Sequence, residues 1–254
     1  MPQTWPNIRF DYAGASVLVT GGTSGIGAGI AAAYRAAGAE VTITGTRDSP
    51  EAYDDDLAGY GYRRMDLEDP DSIDALAESL PTLDILVNNA GLVFHNLDLD
   101  EYEPEIFDRA LQIHLSAGFR LATRCRDKLS ASRLPGGASV IGIASMSSFF
   151  GIEVVPGYGT GKTGLLGMTR VLAVHWAKRN IRVNAVAPGL THSRAAASSI
   201  ADPVYSGETI ARTPAGRLGQ PIDVAGAVLF LSSAAASWIT GQTINVDGGY
   251  SIAG

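Results

Sequence analysis

Tyr158 and Lys162 stand four residues apart, so a helix carrying both presents them on one face. A phenol titrates near 10 and must be brought down by roughly three pH units, about 4 kcal/mol, before it can exchange protons near neutrality. A neighbouring ammonium supplies part of that, and a further positive charge nearby adds to it. The chemistry open to such a pair is general acid and base catalysis at a substrate oxygen. An isolated Y-x-x-x-K is more often an exposed tyrosine and a solvated lysine on an amphipathic helix, so the pair gains meaning only from its surroundings.

A second chemical feature lies near the start of the chain, where Thr20-Gly21-Gly22-Thr23-Ser24-Gly25-Ile26-Gly27 follows an apolar run. Glycines allow a tight turn and let backbone N–H groups approach a pyrophosphate, whose charge the N-terminus of the next helix favours. Such a turn by itself is sometimes only a strand-to-helix connection. Its T-G-x-x-x-G-x-G spacing differs from the common G-x-G-x-x-G.

The elements that must position these residues alternate along the chain. Strands are expected at Ser16–Thr20, Glu40–Thr44, Leu83–Asn88, Ala138–Ile143 and Ile181–Val186. Between them, helical patterns cover Gly25–Ala37, Pro70–Leu80, Pro104–Leu129 and Tyr158–Ala177. Strands this apolar, without strict alternation, are covered on both faces. Their alternation with helices predicts right-handed crossovers and a parallel sheet. The stretch 192–214, rich in Ala and Ser, reads as irregular and as a mobile substrate lid within a single domain spanning 1–254.

The glycine turn resembles the nucleotide loop of the short-chain dehydrogenase/reductase family, single-domain branch. Further motifs follow in that family's order: Asn88-Asn89-Ala90-Gly91, Ser145, Tyr158-Gly159-Thr160-Gly161-Lys162, Asn184, Pro188-Gly189, Thr240-Gly241 and Asp247-Gly248-Gly249. The resemblance runs from Tyr12 onward. It implies a doubly wound Rossmann fold with about seven parallel strands and helices on both faces. It also implies a nicotinamide-dependent oxidoreductase that interconverts a carbonyl and a secondary alcohol, and a homo-oligomer, tetramer or dimer, with the long helices and 247–254 in contacts. An NAD-dependent polyol or hydroxyacid dehydrogenase, or a catalytically silent nucleotide sensor or scaffold, is the alternative.

By this resemblance Tyr158 is the acid/base, Ser145 holds the substrate oxygen beside it, and Lys162 also binds the nicotinamide ribose. Gly21, Thr23, Ser24, Gly25, Ile26 and Gly27 face the pyrophosphate; Asp66 and Leu67 face the adenine. Asn88, Ala90 and Gly91 lie beside the cofactor, and Pro188, Gly189, Thr191 and Ser193 approach its nicotinamide end. One departure concerns His114, which occupies a helix position where relatives commonly carry asparagine. Its imidazole can join the proton relay, leave a relay carried by helix backbone intact, or simply pack.

Cofactor choice is read at the end of the second strand, where an acid would bind the ribose hydroxyls of NAD. Gly45 stands there, followed by Thr46 and Arg47, a hydroxyl and a guanidinium suited to the extra phosphate of NADP. NADP(H) is therefore favoured, with NAD(H) the alternative should the turn bring Asp48 to the ribose. The substrate side is assigned to His95, Met146, Phe149, Val155 and Leu190. It is mostly apolar and suits an aliphatic or cyclic ketone or alcohol. Arg194 and Arg212 are open either to an anionic substrate or to solvent.

Bulk properties agree. A formal charge of -7 argues against nucleic-acid binding. Met1–Tyr12 lacks a signal-peptide pattern and no apolar run is long enough to span a bilayer, so a cytoplasmic location without membrane contact is expected. The single cysteine, Cys125, forms no intrachain disulfide. The four histidines lack metal-ligand spacing, so no metal is expected, and no nucleophile-elbow motif supports a hydrolase.

Overall fold

The computed structural model describes residues 5–253; Met1–Thr4 and Gly254, which belong to the terminal segments considered above, lie outside them. Seven strands form one sheet in the order β3-β2-β1-β4-β5-β6-β7, with every adjacent pair parallel. They are β1 (Ser16–Val19), β2 (Glu40–Gly45), β3 (Gly61–Arg64), β4 (Ile85–Asn88), β5 (Ala138–Ile143), β6 (Ile181–Pro188) and β7 (Thr243–Val246). The crossover helices are α1 (Gly25–Ala36), α2 (Pro70–Ser79), α3 (Pro104–Leu111), α4 (Ala117–Ser130) and α5 (Pro156–Trp176). After β6 come α6 (Ala197–Ala201), α7 (Pro203–Arg212) and α8 (Pro221–Ser232).

Side-chain alternation along the strands builds two cores. Val17 and Val19 of β1, with Ile85 and Val87 of β4, pack on the side of α1 and α8 against Ile30, Tyr34, Val224 and Val228. Leu18 and Leu86 point the other way, into a core with Leu121, Leu129 and Trp176. Both faces are thus covered, which explains why β5 and β6 read as nearly unbroken apolar runs.

Two sequence expectations are corrected here. The helix expected over Pro104–Leu129 is interrupted at Gln112–Ser116 by a π-turn, a local widening common at functional positions. The supposedly irregular 192–214 is helical over α6 and α7, where Asp202 caps α7 by accepting from the N–H groups of Val204 and Tyr205. Beyond the elements expected from the sequence lie β3, which has no apolar run, β7, which is only four residues long, and α8.

The far edge of the sheet is held by Arg182 on β6, a buried cation. Its guanidinium donates to the carbonyls of Leu231 and Ser233, at the C-terminal end of α8, and to that of Gly136. A positive charge suits the carbonyl end of a helix. Replacing Arg182 with Met leaves those carbonyls without a donor and should cost about 3 kcal/mol in a denaturant unfolding titration.

Candidate active site

The strand order reverses between β1 and β4, and in open parallel sheets that is where a crevice opens outside the carboxyl ends. A cleft of about 1160 Å³ lies there. The Thr20 hydroxyl fastens its two walls together: it accepts from the N–H groups of Asn89 (2.9 Å) and Ala90 (3.0 Å). The Asn89 side chain donates back to the Thr20 carbonyl at 2.8 Å.

The glycine loop is shaped for close approach. Gly21 has a positive φ of 64°, and a Cβ there would come within 2.9 Å of Ala90 Cα. On Gly25, with φ 55°, a Cβ would sit 2.8 Å from Ser193 Cβ. Ser24, the N-cap of α1, makes no side-chain cap bond, and no acid occupies the first turn. The first-turn N–H groups therefore have no side-chain acceptor, and their dipole favours an anion. These residues fit a dinucleotide pyrophosphate.

Of the sequence-assigned cofactor residues, Gly21 and Thr23 to Gly27 line the cleft, as do Thr46, Arg47, Asp66, Leu67, Ala90 and Gly91. Pro188, Gly189, Thr191 and Ser193 line its other end. Asn88 does not: its side chain donates to the Gly118 carbonyl on α4 (3.2 Å), turned away from the cleft by strand alternation. The neighbouring Asn89 takes the lining position instead. On the substrate side His95, Met146, Val155 and Leu190 line the cleft, whereas Phe149 lies outside it and is 48% exposed. Arg194 lines the cleft, while Arg212 packs over the rings of Tyr250 and Phe150.

At the end of β2 the absence of a side chain on Gly45 is enforced. A Cβ would collide with the Tyr53 hydroxyl and approach Thr23 Cγ2 to 2.9 Å. Tyr53, which sequence reasoning missed, accepts from the Arg47 N–H at 3.0 Å, and the Arg47 guanidinium lies over its ring. Asp48 pairs with Arg64 at 3.3 Å with its side chain 97% exposed, and it does not line the cleft.

At the other end of the cleft, Ser145 follows β5, and Tyr158 and Lys162 lie in the first turns of α5. Lys162 is buried and its Nζ donates to the Ile143 carbonyl at 2.6 Å. Burial brings its ammonium down to about 8. The same ammonium sits 5.7 Å from the centre of the Tyr158 ring. The sequence argument expected a lowered phenol; instead Tyr158 is raised, first by burial and also by the carboxylate of Glu101, against a lowering hydrogen bond from Ser145. The difference is physical: desolvation acts on the whole phenolate charge, and Lys162 spends its short bond on a carbonyl. The phenol is thereby held in its proton-donating form.

Glu101 is the second residue that sequence reasoning missed. Helix α5 opens with Val155 as N-cap, which has no acceptor to offer, and Pro156 follows. The buried Glu101 carboxylate fills that role across 57 positions, accepting from the Tyr158 backbone N–H at 2.8 Å. Its surroundings, an acidic run from Asp98 to Glu105, look like solvated surface in the sequence.

His114 lies at the centre of the π-turn. A Cβ on either Gly91 or Gly161 would come within 2.9 Å of it, so these two glycines make the room the imidazole occupies. Its Nε2–H donates to the Leu92 carbonyl at 2.7 Å, and the ring stands edge-on to Tyr158 at 4.7 Å. Burial, then the Lys162 charge, bring it down to about 3, so it is neutral at physiological pH.

Two outcomes follow from these charges. His114→Asn retains a donor for the Leu92 carbonyl and should keep turnover within about tenfold, or 1.4 kcal/mol; a far larger loss in steady-state assays would show a direct proton role. Glu101→Gln removes a negative charge beside the phenol but keeps an acceptor for the α5 N–H. The phenol should then ionise at lower pH, moving the alkaline limb of a carbonyl-reduction profile downward; an unmoved limb would refute the coupling.

A family model described as enoyl-(acyl carrier protein) reductase matches residues 21–251. The 2-dehydro-3-deoxy-D-gluconate 5-dehydrogenase of Escherichia coli is 35% identical over 95% of this chain and 97% of its own. The 3-oxoacyl acyl-carrier-protein reductase of the same organism is 36% identical over 94% and 98%. Among solved structures, a protein from Agrobacterium tumefaciens described as a 2-deoxy-D-gluconate 3-dehydrogenase, with bound NADP, superposes with a TM-score of 0.84 at 37% identity, covering 95% of this chain and 98% of that one. Likeness of this extent, over a cleft built from the same ordered motifs, shows that the chain belongs to the short-chain dehydrogenase/reductase family.

Proposed function

We propose that the chain is an NADP(H)-preferring oxidoreductase that interconverts a small carbonyl compound and the corresponding secondary alcohol, with Tyr158 as acid/base. The observation that carries this is the group of buried Ser145 and Lys162 with half-buried Tyr158 between them in the lining, at one end of a cleft whose middle fits a pyrophosphate. A bound nicotinamide supplies or accepts the hydride. Tyr158 delivers the proton from its hydroxyl to the carbonyl oxygen in reduction and takes it back in oxidation. The Ser145 hydroxyl holds that oxygen beside the phenol. Lys162, fixed by the Ile143 carbonyl, stabilises the phenolate that remains and offers its other N–H donors to the nicotinamide ribose.

The preference for NADP(H) is supported by Gly45, which admits no acid, by Arg47 on the cleft wall, and by Asp48 lying outside the cleft lining. A hydroxyacid or keto acid of the sugar series is the second reading. Besides the relatives named for such compounds, the lid supports it by turning Ser198, Asp202 and Tyr205 to the cleft. These give its substrate end more hydrogen-bonding groups than the apolar pocket expected from sequence. The chain is proposed to act as one catalytic domain with 192–214 as its lid. It is proposed to be a cytoplasmic homo-oligomer, supported by exposed Phe119 on α4 and Val171 and Val174 on α5. No described helix is long and apolar enough to cross a membrane.

The test is nucleotide titration followed by a screen of carbonyls and alcohols, keto sugar acids included. NADPH should bind more tightly than NADH, and Tyr158→Phe should abolish turnover of the best substrate while leaving nucleotide binding intact. Tighter NADH binding would overturn the cofactor preference, and unchanged turnover in Tyr158→Phe would overturn the catalytic assignment.

A further inference from the structure

The cleft is lined by three lysine or arginine side chains among the described residues. Arg47 stands at the β2 end beside Tyr53, and Lys162 stands at the catalytic end. Arg194 lies between them, over the glycine loop, where its Nη2 donates to Thr23 Oγ1 at 3.3 Å. The loop itself, Thr20–Gly27, contains no basic residue. A pyrophosphate seated there would receive backbone N–H groups but no countercharge from the loop.

Arg194 belongs to the lid, and its position is held from two sides. Ser193 rests on Gly25, which has no Cβ to keep it away. On the outer side Asn96 donates to the Ala195 carbonyl at 2.8 Å and accepts from the Ser198 hydroxyl at 2.7 Å. Residue 194 is thereby held against the loop at the height of Thr23. A guanidinium has five N–H donors in a planar fork suited to phosphate oxygens, and the long contact to Thr23 occupies one of them.

Resting on the nucleotide reading above, we propose that Arg194 binds the dinucleotide pyrophosphate from the lid side, so that the same contact that holds the cofactor keeps the lid in place over the substrate. This assigns to a lid residue the positive charge that the glycine loop lacks. With nucleotide bound, the Arg194 contact adds to the Ser193 and Asn96 contacts that already hold the lid at the loop, and secures it before the substrate arrives.

The test compares wild type, Arg194→Gln and Arg194→Lys, each checked for native circular dichroism. Dissociation constants for NADPH and NADH are measured by fluorescence titration, with chymotryptic cleavage at Tyr205 on the lid followed with and without NADPH. Arg194→Gln should weaken both nucleotides by a similar factor, at least about tenfold, because both carry the pyrophosphate; Arg194→Lys should fall between. NADPH should slow cleavage at Tyr205 in wild type and not in Arg194→Gln. Unchanged affinity in Arg194→Gln would overturn the proposal. So would a loss confined to NADPH, which would put the guanidinium on the 2′-phosphate. So would intact affinity with a raised substrate KM, which would put it on the substrate. If wild type binds neither nucleotide, the nucleotide reading itself fails.

Discussion

The Thr20 hydroxyl accepts two backbone N–H groups from the end of β4, while the Asn89 amide returns a hydrogen bond to the Thr20 carbonyl. This exchange joins β1 to β4 at the carboxyl ends of the strands, where the strand order reverses. The glycine loop is built on one side of it and the Ala90-Gly91 turn on the other. Gly27 has to be glycine because a Cβ would strike the Gly21 carbonyl and the Asn89 amide. The Gly91 turn in turn leaves the space that His114 fills. The catalytic end and the nucleotide end of the cleft are therefore positioned from one shared set of hydrogen bonds.

From that frame the catalytic end gathers three buried ionisable groups, and burial lowers two of them, Lys162 and His114. Lys162 needs the Ile143 carbonyl because a buried ammonium without an acceptor would be costly. His114 answers the same environment by staying neutral, with its Nε2–H on the Leu92 carbonyl. Glu101 spends its charge on the N-terminus of α5, where the helix dipole favours it. The Tyr158 phenol sits among all three. Its proton is held first by burial, which the Ser145 hydrogen bond opposes and the Glu101 charge reinforces.

Much of this was legible in the sequence because it is local. The glycine turn, the Y-x-x-x-K face and the apolar strands β1, β2, β4, β5 and β6 are patterns within a few residues. What escaped was set at a distance. Glu101 acts on a backbone N–H more than fifty positions away, and nothing in its acidic surroundings marks it as buried. Tyr53 gains its role only when β2 and the following turn fold back on Gly45. The edge strand β3, with the sequence Gly-Tyr-Arg-Arg, is largely exposed and has no apolar run to announce it. The choice between Asn88 and Asn89 depended on strand alternation at the very end of β4, where one residue reverses the side.

The pairing of Gly45 with Tyr53 bears on how readily this cleft could change its nucleotide. In a chain where the end of β2 is open, exchange of one residue for an acid is enough to offer ribose hydroxyls a carboxylate. Here the space is already taken by a phenol that also braces the Arg47 backbone. An acid at position 45 would have to displace that ring, and the displaced ring would release the arginine. Placing an acid at this position therefore requires coordinated change at two positions, 45 and 53. The tyrosine ties the end of β2 to the turn that follows it, although its ring need not touch a bound nucleotide.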